Sequence, residues 1–403
     1  MIGRLLIAIL TTNHQPLTTS NTPYLHWIPF LTVEDDCTLP TVYFLLPTNF
    51  SLSLSAFLKY IKSMQNESIQ ISPTIHEFLL SHGYTENFSV TPIAGAGSGR
   101  RYFRIADGER MSVLQVSAEA NDDFKHFAEY SKTFREYGLP VPRVYCVDEE
   151  SCQILQEDLG NRRLLDEAFP NGSKVLSGSV RVLYPEVIDA LLQWQNASHP
   201  LFSHHTEIWL RRFDFAALKW ETDYFTENYL KLHKGVDEIP QSVRNFYSLV
   251  AVSVDAQTKV LMHRDFQSQN IMIRPNSGVA FVDYQGARRG SMFYDIASLL
   301  WDPYVCLPLP MIKDFFEYWR AQCRGTRIYT KDDAWEGFVH ASLQRLMQAL
   351  GAYCFLSKVK KIEKFEQYIE PGKSQLRVLF GEFKQIAKAT DPEVFKFMDW
   401  ALQ

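Results

Sequence analysis

Between residues 88 and 118 apolar and polar positions alternate, first in FSVTPIAG and then, past a glycine stretch, in RRYFRIADGERMSVLQVS. A two-residue period is that of a half-buried strand, and Gly108 marks the turn between two of them. The rhythm then changes. In DDFKHFAEYSKTFREY, residues 122–137, Phe124, Phe127 and Phe134 recur at helical spacing, and Gly138 closes the element. VPRVYCVDEESCQILQEDLG returns to two strands around an acidic turn. Residues 88–158 thus predict strand, strand, helix, strand, strand. From Asn161 the pattern is mostly helical, with one β interruption at 258–284. Upstream, ISPTIHEFLLSHGY predicts a helix: Ser72 or Thr74 caps it, Pro73 suits its first turn, Glu77 completes a capping box with Thr74, and Gly83 ends it. Residues 1–63 hold no sustained period and few charges. They are expected to be an extension outside the native domain, which would start at Met64. The expected domains are therefore the extension (1–63), a β-rich lobe (64–158) and a larger helical lobe (159–403).

Composition narrows the function classes. The 403 residues are 46% hydrophobic and 22% charged, with a net charge of −5. That is ordinary globular usage, and the balance exerts no pull toward nucleic acid or anionic membrane. No apolar run is long enough to span a bilayer, and LLIAIL near the start is followed by no small-residue cleavage site. Secretion is not expected. Six cysteines, none in C-x-x-C spacing, fit reduced thiols in the cytoplasm better than a zinc site or disulfide frame. The expected partner is a small-molecule substrate, with neither nucleic acid nor membrane; no oligomeric state is assigned.

The chemistry concentrates in VLMHRDFQSQNIMIRPNSGVAFVDYQGARRGSMFYDIASLLWD, residues 260–302. NIMI and VAFVDY flank the turn-rich RPNSG, a hairpin that brings Asn270 near Asp283. Asp265 sits in the loop before it. Phosphoryl transfer needs such a set: magnesium takes carboxylate and amide oxygens, here Asp283 and Asn270, and a further carboxylate, Asp265, accepts the proton of the attacking hydroxyl. H-R-D-x-x-x-x-N is the spacing of a kinase catalytic loop, and VDYQG stands where kinases carry D-F-G. His263 is assigned a structural part. Asp295 caps a helix and braces the loop. The fold class expected is α+β, a bilobal protein-kinase-like fold with a small β-rich N-lobe and a larger, mainly helical C-lobe. Only eleven residues separate Asp283 from Asp295. That leaves no room for the activation segment of a protein kinase and points to a small hydroxylated acceptor.

This segment, together with GSGRRYFRI at 97–105 and LQEDLG at 155–160, resembles the aminoglycoside phosphotransferase/choline kinase superfamily, and within it the cell-wall sugar kinases that act on N-acetylmuramate and N-acetylglucosamine. The resemblance implies ATP or another nucleoside triphosphate, Mg2+, and an amino-sugar acceptor of cell-wall recycling; aminoglycosides or choline-like alcohols are the alternative acceptors. It also implies that adenine meets the backbone at Glu157 and Leu159. On the residues themselves, Gly97, Ser98 and Gly99 bring backbone N–H groups and a hydroxyl to phosphates. The third strand lacks the usual lysine and carries Gln115 instead. Either Arg100, Arg101 and Arg104 supply the positive charge, with Glu129 pairing one of them, or the chain is a pseudokinase with weak nucleotide binding. For the acceptor, Asp214, Trp220 and Glu221 on a helix and Arg288 and Arg289 beside Asp283 are the candidates.

Overall fold

The computed structural model describes residues 69–93, 100–275, 278–326, 328, 334–387 and 390–403. The chain divides into two units, Met1–Gln70 and Ile71–Gln403, and every element below belongs to the second. The expected extension and the glycine segment, with Gly97, Ser98 and Gly99, lie outside the described residues.

The first helix runs over Pro73–Ser81 with Ser72 as its cap, the Ser72 Oγ accepting from Ile75 N at 3.2 Å. Thr74 lies inside the helix, so the expected box with Glu77 does not form. Proline's fixed φ suits the first helical position, which places the cap at Ser72. Ser72 N also donates to Gln153 Oε1 at 2.9 Å, tying the helix to the sheet.

That sheet has five antiparallel strands: β1 (Ser89–Ile93), β2 (Arg101–Asp107), β3 (Arg110–Val116), β4 (Val144–Asp148) and β5 (Gln153–Glu157), in the order β1-β2-β3-β5-β4. Three strands precede the helix, not the two expected. The glycine segment separates β1 from a β2–β3 hairpin that turns at Gly108, whose φ of +62° suits glycine. Cross-strand register puts Phe103, Leu114 and Leu155 in one row, all buried on one face of the sheet. The alternate positions, Tyr102 with Gln115 and Arg104 with Val113, point to the opposite face. The helix Asp122–Glu136 is capped by Asn121 Oδ1, which accepts from Phe124 N at 3.1 Å. It buries Phe124, Phe127, Tyr130 and Phe134.

The larger lobe is helical. Its axis is the mostly buried helix Ala334–Cys354, which meets the helix Phe215–Phe225 so closely that a Cβ at Gly351 would stand 3.0 Å from Phe225 Cα. Trp194, Trp301 and Trp319 fill the core around it. Two small antiparallel pairs interrupt the helices: β6 (Lys259–Met262) with β9 (Arg288–Ser291), and β7 (Ile271–Ile273) with β8 (Val279–Phe281). The β interruption therefore extends to Ser291. The protein is an α+β, bilobal, protein-kinase-like fold. The five described cysteines are free thiols, and among the described residues no helix is long and apolar enough to cross a membrane.

Candidate active site

The connection from β6 to β7 is the loop that carries Asp265 and Asn270. It makes a backbone excursion that few residues tolerate: Arg264 has φ +82°. Such a conformation in a non-glycine residue costs on the order of 1–3 kcal/mol and persists where surrounding bonds enforce it. Here the enforcing group is Asp295, fully buried at the start of the helix Tyr294–Leu300. Its Oδ2 accepts from His263 N at 2.7 Å and its Oδ1 from Arg264 N at 2.9 Å. A second acid pins the other side of the loop. Asp302 Oδ2 accepts from Ser268 N at 2.8 Å and from Ser268 Oγ at 2.6 Å. Asp265 is thus presented from a segment tethered on both sides by buried carboxylates from one stretch of chain. Burial pushes Asp295 up to about 7 and raises Asp302 as well. His263 is fully buried, its Nε2 lies 3.1 Å from Val282 O, and burial lowers it to about 4. It is neutral near pH 7, which suits a packing residue and not a proton carrier.

The hairpin does bring the next two groups together. Val282 N donates to Asn270 O at 3.0 Å. Asn270 Nδ2 donates to Asp265 O at 2.9 Å, which leaves its Oδ1 as an acceptor beside the loop. Asp283 takes a left-handed conformation, φ +65°. Its Oδ1 accepts from Gln285 Nε2 at 2.9 Å and from Arg100 Nη2 at 2.8 Å. One amide oxygen and one carboxylate are hard donors of the kind Mg2+ takes when phosphates and water complete its shell. Among the described residues no group of three or more His, Cys, Asp or Glu side chains is placed to hold a metal ion.

Tyr284, where D-F-G has phenylalanine, is buried under the N-lobe helix. It stacks on Phe127 with centroids 5.0 Å apart and shares a hydrogen bond with Ser131 Oγ. The helix therefore reaches the turn after Asp283 through aromatic packing. Glu129, expected to pair an arginine, has no ion pair among the described residues.

The arginines of the first lobe divide. Arg100 reaches Asp283. Arg104 instead forks onto Asp158, with Nη2 at 2.9 Å from Oδ1, and donates from the same nitrogen to Asn161 Oδ1 at 2.8 Å. It clamps the sheet to the segment between the lobes. Arg101 is exposed at the edge of β2, 5.9 Å from the Phe103 ring. Gln115 is fully buried, and neither its Oε1 nor its Nε2 has a partner among the described residues. At the expected adenine segment, Glu157 N is taken by Arg143 O at 2.8 Å, whereas the Leu159 amide has no partner among the described residues.

The acceptor candidates also divide. Asp214 is a helix cap, accepting from Ala217 N at 3.4 Å. Trp220 is 55% exposed and stacks on Tyr224. Neither touches the 263–270 loop by hydrogen bond or ring contact among the described residues. Glu221 is buried behind the loop, accepting from Tyr294 OH at 2.9 Å and Gln344 Nε2 at 3.1 Å; burial raises it to about 7. Arg288 and Arg289 are neighbours on a strand and so face opposite ways. Arg289 lies over Trp209, 3.8 Å from its ring. Arg288 lies on the Asp265 side, its Nε donating to Gly286 O at 2.8 Å.

Three supporting residues escape sequence reasoning. Asp302 is one. Arg345, buried, joins Ser298 Oγ at 2.9 Å to Gln267 Oε1 at 3.4 Å. Arg211 donates to Tyr130 OH at 3.0 Å and Gln285 O at 2.9 Å. Only Asp302 had a signal, a second acid one short helix after Asp295.

A five-stranded sheet followed by a helical lobe, with a loop of that lobe pinned by two buried carboxylates, is the frame in which Asp265, Asn270 and Asp283 are brought together. Residues 89–327 match the phosphotransferase enzyme family, and the chain belongs to that family. It is similar to an N-acetylmuramate/N-acetylglucosamine kinase of Pseudomonas aeruginosa, 28% identical over 289 residues that cover 69% of this chain and 80% of that one. A kinase of the same name from Neisseria meningitidis is 26% identical over 309 residues, 75% of this chain and 88% of that one. Among solved structures, the choline kinase LicA of Streptococcus pneumoniae shares the fold, with TM-score 0.51 and 13% identity, over 76% of this chain and 98% of the other. The protein is an enzyme, a small-molecule kinase.

Proposed function

We propose that this chain transfers the γ-phosphoryl group of ATP, with Mg2+, to a hydroxyl of an amino sugar of the N-acetylmuramate or N-acetylglucosamine kind, in the cytoplasm. The names of the two kinases it resembles support the sugar. The observation that carries the chemistry is the loop held by Asp295 and Asp302, with Asp265 presented beside Asn270 and Asp283.

Asp265 accepts the proton of the acceptor hydroxyl and aims its oxygen at phosphorus. Positioning supplies much of the rate in such transfers, which is why a doubly pinned loop serves them. Asn270 Oδ1 and Asp283 would hold the metal, which when bound offsets phosphate charge. Arg100 takes the part of the absent strand lysine. It already reaches Asp283, and a guanidinium grips phosphate through two parallel bonds. Arg104 is committed to Asp158 and serves lobe geometry instead. Leu159 N–H, without a partner among the described residues, would donate to an adenine ring.

The test is a 31P NMR screen with ATP and Mg2+ over N-acetylmuramate, N-acetylglucosamine, choline and an aminoglycoside. A new phosphate ester is expected with an amino sugar. Ester formation on choline or the aminoglycoside alone would replace the amino-sugar reading. A non-catalytic reading rests on Gln115 in the lysine position, and absence of any ATP-dependent thermal shift would favour it.

A further inference from the structure

Resting on the amino-sugar reading, we propose that Arg288 and Arg264 form an anion subsite beside Asp265, and that the favoured acceptor is a sugar bearing a carboxylate. The two side chains converge on Gly286. A methyl there would stand 3.6 Å from Arg264 Cδ, 3.9 Å from Arg264 Nη1 and 3.8 Å from Asp265 Oδ2. The carbonyl of Gly286 is the anchor for Arg288 Nε at 2.8 Å. Both guanidiniums therefore border the carboxylate that receives the acceptor's proton.

Their remaining nitrogens are open. Among the described residues the Nη groups of Arg288 have no hydrogen-bond partner, and no carboxylate lies within 4.0 Å of it. Arg264 makes no side-chain hydrogen bond there, and its one carboxylate neighbour is Asp265 Oδ2, at 4.0 Å. Arg288 is partly buried, with the Phe213 ring centroid 5.9 Å from its guanidinium. The arrangement is electrostatically costly. Burial, then Arg264, then Arg211 push Arg288 down to about 10. Glu221 is a poor counter-ion for the pair, since it is buried, already accepts from Tyr294 and Gln344, and is raised to about 7. Two guanidiniums that share Asp265 as their nearest counter-charge, with Nη groups left open, are a receptor for a bidentate anion.

The anion is the acceptor's own and not the transferred phosphoryl group. Arg288 is anchored on Gly286, whose Cβ position lies 3.8 Å from Asp265 Oδ2, whereas Arg100 is bonded to Asp283. Arg288 thus stands on the hydroxyl side of the transfer. N-acetylmuramate carries a carboxylate on its lactyl ether and N-acetylglucosamine has none, so the subsite separates these two sugars. It also opposes cationic acceptors such as choline.

The experiment measures kcat/KM for N-acetylmuramate and N-acetylglucosamine with the wild-type chain, Arg288→Met and Arg288→Lys. One charge-assisted bidentate contact corresponds to a preference of about tenfold or more for the acid. Arg288→Met is expected to collapse that ratio toward one, chiefly by raising KM for the acid. Arg288→Lys, which keeps the charge and loses the fork, is expected to retain part of it. A wild-type ratio near one, or a ratio that Arg288→Met leaves unchanged while kcat falls equally for both sugars, overturns the subsite. Turnover of neither sugar by the wild type is a different result, which removes the amino-sugar reading itself.

Discussion

Asp295→Asn tests the claim that one buried carboxylate enforces the catalytic loop. The wild-type side chain accepts two backbone N–H groups, at 2.7 and 2.9 Å. Asparagine offers one oxygen, so its amino group must face one of those donors. Hydrogen bonds to charged groups contribute about 1.5–3 kcal/mol, and a buried donor left unmet costs about 1–3 kcal/mol. Against this, asparagine escapes the burial of a carboxyl that is pushed up to about 7, which offsets part of the loss. The net expectation is about 2 kcal/mol of stability. The catalytic effect should be larger than that figure implies. If the Arg264 amide loses its acceptor, φ +82° is no longer enforced, and its relaxation carries Asp265 with it. Misplacement of a reacting group by about 1 Å costs on the order of 100-fold in rate. Urea unfolding at pH 7 gives the stability change, and single-turnover phosphoryl transfer at saturating nucleotide gives the rate. A variant with wild-type midpoint and wild-type rate would show that Asp295 does not hold the loop.

Other outcomes follow from the same structure. Gly351→Ala should lower stability by about 1–3 kcal/mol, because the added methyl meets Phe225 backbone atoms at 3.0 and 3.2 Å that cannot rotate away; urea midpoints read this directly, and an unchanged midpoint would contradict the packing. Glu221 ties stability to pH. Its folded carboxyl, raised from 4.5 to about 7, keeps a proton that the unfolded chain releases, so its contribution is full below pH 4.5 and is lost as pH rises toward 7. That loss amounts to about 3 kcal/mol at most. Unfolding at pH 5 and pH 7.5 should show a larger loss in the wild type than in Glu221→Gln, where the raised carboxyl of Asp295 still contributes. Arg100→Met should weaken binding of Mg-ATP, read by calorimetry, by about tenfold, and equal affinity would return the phosphate-binding role to residues of the glycine segment.

The legible parts of this molecule were those encoded over short stretches. The hairpin under Asn270 and Asp283 was readable because NIMI, RPNSG and VAFVDY are strand, turn and strand within fifteen residues. The loop's brace at Asp295 was readable only because the kinase-like plan puts a helix there; the contact itself spans 32 positions. What failed were choices of face and partner. The sequence of the Phe215–Phe225 helix supplies an acid and an aromatic at plausible spacing, yet Asp214 is spent on the helix cap and Trp220 is turned outward. Arg104 looked like Arg100 in sequence; only the fold shows that Asp158 claims it. Arg345 reaches Gln267 across 78 positions, and no local pattern announces such a contact. Alternation on β9 would have separated Arg288 from Arg289, since the strand period alone sends them to opposite faces.

The central claim is that Asp265 is the proton acceptor of a working kinase. Asp265→Asn keeps the shape of the side chain and removes its basicity. With ATP, Mg2+ and the preferred amino sugar, kcat should fall by about 100-fold or more, while the affinity for Mg-ATP, measured by calorimetry on the same preparation, stays within about threefold of wild type. A variant that turns over at the wild-type rate would contradict the account.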